Sequence, residues 1–143
     1  MTIYDSLIQN KHVEILLDAS AIIAVIADEP EAQVVINCTQ NATIVSPGII
    51  SCEIANALTR MMRKNIITTE KKMIDLIKSF KLIPMKIINI DLEKALEIAW
   101  QYKIYAYDAF YLEVAKRLQL PLVSFDGNMR KIGKELGLNV LGG

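Results

Sequence analysis

At 143 residues the chain has the length of one domain, 1–143, and no room for a second core. Its residues are 52 % apolar but only 6 % aromatic, which excludes a disordered chain and requires a core built from Ile, Leu, Val and Ala. Sixteen basic and sixteen acidic residues cancel, so net charge selects no class of partner. Taken in order, "EILLD" (14–18) predicts a strand and "ASAIIAVIADE" a helix. "DEPEAQVVINCTQ" predicts a second helix, with Asp28 as cap, Pro30 in the first turn and Glu31 at capping-box spacing. "ATIVS" (42–46) is the second strand, and "PGIISCEIANALTRMMRKN" follows with Ile50, Ile54, Ala57, Leu58 and Met61 at helical spacing.

"TTEKKMIDLIKSF" predicts a basic amphipathic helix capped by Thr68 or Thr69, "MKIINI" a third strand, and "DLEKALEIAWQYK" a helix capped by Asp91. "YDAFYLEVAKRLQ" is a further helix and "LPLVSF" a fourth strand; "NMRKIGKELG" is a short helix ending at Gly137, and "LNVL" a last strand. Strands alternating with helices predict a three-layer α/β/α sandwich on a central, mostly parallel sheet of four to five strands.

Cys38 and Cys52 form neither a disulfide framework nor a zinc signature, and their apolar neighbours predict buried, reduced thiols. The N-terminus lacks the pattern of a signal peptide. The longest apolar stretch, "ILLDASAIIAVIA", is too short to span a bilayer and contains Asp18. The expectation is a soluble, cytoplasmic protein without a membrane partner.

Charge is unevenly distributed. Up to residue 59 the acids Asp5, Glu14, Asp18, Asp28, Glu29, Glu31 and Glu53 face a single Lys11, whereas residues 60–86 carry eight Lys or Arg against Glu70 and Asp75. Four acids stand where a carboxylate is costly or where parallel sheets bind ligands, beyond the carboxyl ends of the strands. Asp18 ends the first strand, and cap and ligand are equally good readings. Asp126 ends the fourth before Gly127–Asn128 and reads as a turn residue or a ligand. Glu53 lies among Ile49, Ile50, Ile54, Ala55 and Leu58, and such a carboxylate calls for a partner, either a cation or a base such as Arg60. Asp108 opens its helix and reads as a cap or as a fourth carboxylate at the same edge.

Four converging carboxylates repel one another and push their pKa values up unless a cation compensates. The only histidine is His12, so an all-oxygen donor set suits Mg²⁺ or Mn²⁺. Neither a Ser–His–Asp set nor a Gly-rich phosphate loop is present.

"ILLDASAII", "VSPGIISCEIANALTR", "YAYDAFYLEVAKRLQLPLVSFD" and "GKELGLNVL", in this order and spacing, resemble a PIN domain, in particular the VapC-type toxins of prokaryotic toxin–antitoxin pairs. The resemblance implies a metal-dependent endoribonuclease whose acidic quartet is Asp18, Glu53, Asp108 and Asp126, holding one or two Mg²⁺ or Mn²⁺ ions and a metal-activated water. Ser20 and Ser124 match the small hydroxyl positions beside the first and last acids. A VapB-like antitoxin and a homodimer are implied as partners, with single-stranded or loop RNA as substrate. Arg60, Arg63 and Lys64, and Arg130, Lys131 and Lys134, then become candidates for RNA phosphates; Tyr105, Tyr107 and Phe110 are candidates for stacking bases, with core packing favoured for Phe110. A non-toxin PIN nuclease and a PIN fold retained for protein binding are the alternatives. A receiver module would need an acidic pair after strand one, and a haloacid-type phosphatase D-x-D; Asp18-Ala19-Ser20 supplies neither. If the cation site exists, Asp108 and Asp126 lie within metal-bridging reach.

Overall fold

The computed structural model describes residues 13–143; Asp5, Lys11 and His12 lie outside the described residues. In chain order the elements are β1 (Val13–Leu17), α1 (Ala19–Ile26), α2 (Ala32–Thr39), β2 (Ala42–Pro47), α3 (Ile50–Arg63), α4 (Glu70–Leu82), β3 (Met85–Ile88), α5 (Leu92–Tyr102), α6 (Ala106–Leu118), β4 (Leu122–Val123), α7 (Gly127–Glu135) and β5 (Val140–Leu141). The sheet runs β3-β2-β1-β4-β5, and each of its pairings is parallel. On one side α1 packs on α2, α3 and α4; α6 packs on α5 and α7 and lies against β2. This is the α/β architecture that the strand–helix alternation predicts.

The core is aliphatic, as composition requires: Leu16, Leu17, Ile22, Ile50, Ile54, Leu58, Leu112 and Leu122 are all buried. Tyr111 is the largest fully buried side chain. β4 is shorter than "LPLVSF" suggests because Pro121 has no N–H to give the ladder. Its carbonyl still accepts from the Leu16 N–H at 2.9 Å, and the Asp18 N–H reaches the Val123 carbonyl at 3.3 Å.

Several local expectations hold. Thr69 caps α4 through the Lys72 N–H, and Asp91 caps α5 through the Lys94 N–H. Gly137, at φ +81°, ends α7, with the Gly137 N–H on the Lys134 carbonyl and the Leu138 N–H on that of Gly133. Two others do not. Asp28 does not cap α2, which starts at Ala32 without a side-chain cap. It adopts φ +52° and closes α1 instead, its N–H on Val25 and that of Glu29 on the Ala24 carbonyl. Cys52 is exposed and Cys38 partly exposed, so neither thiol is buried as expected. The buried face of α3 is set by Ile50, Ile54, Ala57 and Leu58, and Cys52 sits about 200° round the helix from Ile50. Among the described residues no helix is long and apolar enough to cross a membrane.

Candidate active site

β1 pairs with β2 on one side and with β4 on the other, so the chain reverses its direction of winding at β1. In a parallel sheet the crevice beyond the carboxyl ends of the strands at such a switch point is where ligands bind. The sequence puts Asp18 directly after β1 and Ser124 to Asp126 directly after β4. Leu122 and Val123 of β4 and the last three residues of β1 are apolar and buried, so the strand ends deliver these polar groups together at one edge.

Asp18 is buried and accepts three hydrogen bonds. Ser20 Oγ donates to Oδ1 at 2.6 Å, the Ala21 N–H to the same oxygen at 3.1 Å, and Ser124 Oγ to Oδ2 at 2.5 Å. The bond from Ala21 makes Asp18 the N-cap of α1, so the cap reading is correct and does not compete with a place in the crevice. Burial raises the Asp18 pKa, and the three donors work against that rise. The two serine oxygens also accept, Ser20 from the Phe125 N–H at 2.9 Å and Ser124 from the Asp126 N–H at 3.1 Å. Asp18 and the segment after β4 are thereby locked to each other.

Asp126 caps α7, accepting from the Met129 N–H at 2.8 Å; it starts a helix rather than a turn. Asp108 does not cap α6. That helix begins at Ala106, behind Tyr105, and Asp108 sits within its first turn. With its carboxylate free of that duty, burial and then the charges of Asp126, Glu53 and Asp18 push its pKa up to about 6. Glu53 is half-buried in the first turn of α3. It is less enclosed than its apolar neighbours suggested, because Ser51, Cys52, Ala55 and Asn56 face solvent. Asp18, Glu53, Asp108 and Asp126 all line one groove of ≈ 580 Å³.

Comparisons with known proteins bear on the family and the fold. The family model for the PIN domain matches residues 15–135. The chain belongs to the PIN domain family. PIN domains are generally nucleases that work with divalent metals. A comparison with curated proteins gives no match. Among solved structures, the crystal structure of PAE2754 from Pyrobaculum aerophilum superimposes with a TM-score of 0.64 at 24 % identity, covering 89 % of this chain and 98 % of that one. At that identity the likeness speaks for the fold alone.

The remaining candidates distribute unevenly around the PIN-domain groove. Arg60 and Lys64 line it, from the far end of the helix that bears Glu53, whereas Arg63 is exposed and does not. No ion pair joins Glu53 to Arg60; among the described residues the pairs are Lys86–Glu14, Lys94–Glu97 and Arg117–Glu113. Lys131 and Lys134 are exposed on α7. Arg130, a candidate for RNA phosphates, donates to the Ser124 carbonyl at 3.0 Å and to the Leu141 carbonyl at 2.8 Å. It ties β5 to the end of β4. Tyr105 and Tyr107 are exposed, while Phe110 packs on the core with its ring 5.9 Å from that of Tyr107.

Tyr111 is a groove residue that sequence reasoning missed. In an apolar helix an aromatic reads as core; the available signal was its i+3 spacing from Asp108, which puts both on one face of α6. The donor chemistry of the groove, the carboxylates of Asp18, Glu29, Glu31, Glu53, Asp108 and Asp126 with the hydroxyls of Ser20 and Tyr111, fits a hard divalent cation. Among the described residues, however, no three such side chains close on a single point at ligating distance. Asp18 and Asp126 each spend an oxygen on a helix cap, while burial first, and then the neighbouring carboxylates, raise the pKa of Asp108.

Proposed function

We propose that the protein is a Mg²⁺- or Mn²⁺-dependent endoribonuclease that cuts single-stranded or loop RNA, and that it is the toxin of a VapBC-type toxin–antitoxin pair. The observation that carries this reading is the gathering of Asp18, Glu53, Asp108 and Asp126 along one groove at the β1/β4 switch point, with Arg60 and Lys64 on its wall. The four carboxylates are the groups that would hold one or two ions. A bound divalent cation would supply charge for a phosphoryl oxygen and lower the pKa of a water.

The chain's own residues do the rest. Ser20 and Ser124 hold Asp18 by hydroxyl donors, which aims a buried carboxylate and works against the rise in pKa that burial causes. Arg60 and Lys64 neutralise phosphates of the strand, and exposed Lys131 and Arg63 extend that track without reading sequence. Tyr105 and Tyr107, free of the core beside Asp108, offer faces on which unpaired bases stack.

Protein partners, an antitoxin and a second copy of the chain, are supported by the apolar surface of α5. Leu92, Leu96 and Trp100 recur at helical spacing and are all exposed, the pattern of a face made to be covered. The same surface would serve a PIN fold kept for protein binding, so activity has to decide.

The test is cleavage of single-stranded and hairpin RNA by the purified chain, freed of partner, with Mn²⁺ or Mg²⁺. The expected result is cleavage that falls by at least about 10²-fold in Asp18→Asn and in Asp108→Asn. A wild-type protein that cuts none of these RNAs with either cation would overturn the reading. Growth arrest on expression, relieved by the product of an adjacent gene, separates the toxin from a nuclease of RNA processing.

A further inference from the structure

Tyr111 places a phenol in an otherwise aliphatic core at 1 % exposure, and among the described residues its hydroxyl meets no acceptor at normal hydrogen-bond geometry. A buried hydroxyl without a partner is costly, and phenylalanine would fill the same space without that cost. The hydroxyl therefore calls for a use. Tyr111 lines the groove together with Glu53, Asp18 and Asp108, and each of these is a carboxylate. Asp18 already accepts three donors, whereas among the described residues Glu53 has no ion pair and accepts from no backbone amide. A donor lacking an acceptor thus faces an acceptor lacking a donor, on α6 and α3.

We propose that Tyr111 is a positioning residue whose phenol donates to the Glu53 carboxylate and holds it inward, toward the groove shared with Asp108. The inference rests on the nuclease reading for its catalytic consequence, though not for the hydrogen bond itself. Burial above all raises the Tyr111 pKa, so the phenol stays protonated and able to donate at any physiological pH. Glu53 is half-exposed and has a long side chain; without a donor it samples solvent-facing rotamers that leave the groove.

Two measurements on the full chain test this. The first is a double-mutant cycle on unfolding midpoints in EDTA. Tyr111→Phe is expected to lower the midpoint when Glu53 is present and to leave it unchanged or raised in the Glu53→Ala background. The second is Mn²⁺ binding by calorimetry beside RNA kinetics. Tyr111→Phe is expected to weaken Mn²⁺ about 10-fold and to lower kcat while KM for RNA stays the same. Equal midpoint changes in both backgrounds overturn the hydrogen bond and the proposal with it. Coupling with Mn²⁺ affinity and kcat intact overturns the positioning role alone. Coupling in a wild-type chain that binds no Mn²⁺ overturns the nuclease reading and leaves the pair as a purely structural one.

Discussion

Ser124 and Asp18 are 106 residues apart in the chain and joined by a 2.5 Å hydrogen bond from hydroxyl to carboxylate. The same hydroxyl oxygen accepts from the Asp126 N–H, so one serine fixes the ends of two neighbouring strands. Removing it leaves a buried carboxylate short of a donor and an amide short of an acceptor. Ser124→Ala should therefore cost about 2 kcal/mol of stability, read from urea unfolding. Ser124→Thr should recover most of that if the cavity admits its methyl. An alanine variant as stable as wild type would mean that the bond contributes nothing.

Asp108 gives a pH dependence with a defined sign. Its folded pKa of about 6 lies above the ordinary 3.8, so the folded protein binds this proton more tightly than the unfolded chain. The associated stability is fully present below about pH 4 and is lost as pH rises through 6. Asp18 shifts in the same direction. Asp108→Asn should melt higher than wild type at pH 7.5, by about 1 kcal/mol once the screening of a half-exposed group is allowed for, and should lose that advantage at pH 4. Added Mn²⁺ should raise the wild-type midpoint at pH 7.5 more than that of Asp108→Asn. Parallel pH profiles for the two proteins would refute the assignment.

The cations around the groove separate into two kinds. Arg60→Ala and Lys64→Ala should leave the fold intact, weaken RNA binding regardless of sequence, and each reduce the salt slope of binding by about 1. Arg130→Ala should do the opposite. Its guanidinium is engaged by the Ser124 and Leu141 carbonyls, so stability should fall by about 1–2 kcal/mol, with RNA affinity changing little in the protein that remains folded. Filter binding at several salt concentrations, beside thermal melts, distinguishes the two.

A fourth prediction concerns a purely structural pair. Glu113 is 2 % exposed, and Arg117 donates to it from Nε at 2.5 Å while a second nitrogen reaches the Asn89 carbonyl at 2.7 Å. Arg117→Met should cost about 3 kcal/mol because it strands a buried carboxylate. Adding Glu113→Leu should return much of that loss, which chemical denaturation would register.

The sheet and most helices were legible because buried parallel strands are continuous apolar runs and because Thr69 and Asp91 announce the helices after them. Asp18 and Asp126 were also visible, as acids emerging from such runs. What stayed hidden depends on partners distant in the chain. The carbonyl of Leu141 claims Arg130, and from the sequence alone that arginine resembles any other base on α7. Asp108 misled as a cap because the start of α6 at Ala106 is not marked by a capping side chain. Asp28 misled because an aspartate tolerates the left-handed conformation that closes a helix as readily as it starts one. Tyr111 was hidden by its surroundings, since burial of an aromatic is the expected outcome and only the unpaired hydroxyl distinguishes it.

The position of β4 bears on how the protein comes to exist. β4 slots between β1 and β5, yet it is synthesised after all the other strands but β5. Until it docks, one edge of β1 is bare and Asp18 lacks the Ser124 hydroxyl. Parallel pairings between remote segments form slowly, since the chain must close long loops first. A nascent chain that has not yet reached residue 122 carries Asp18, Glu53 and Asp108 but neither Asp126 nor the lock that aims Asp18. The acidic groove thus stays incomplete for most of the time that the protein's own message is being read.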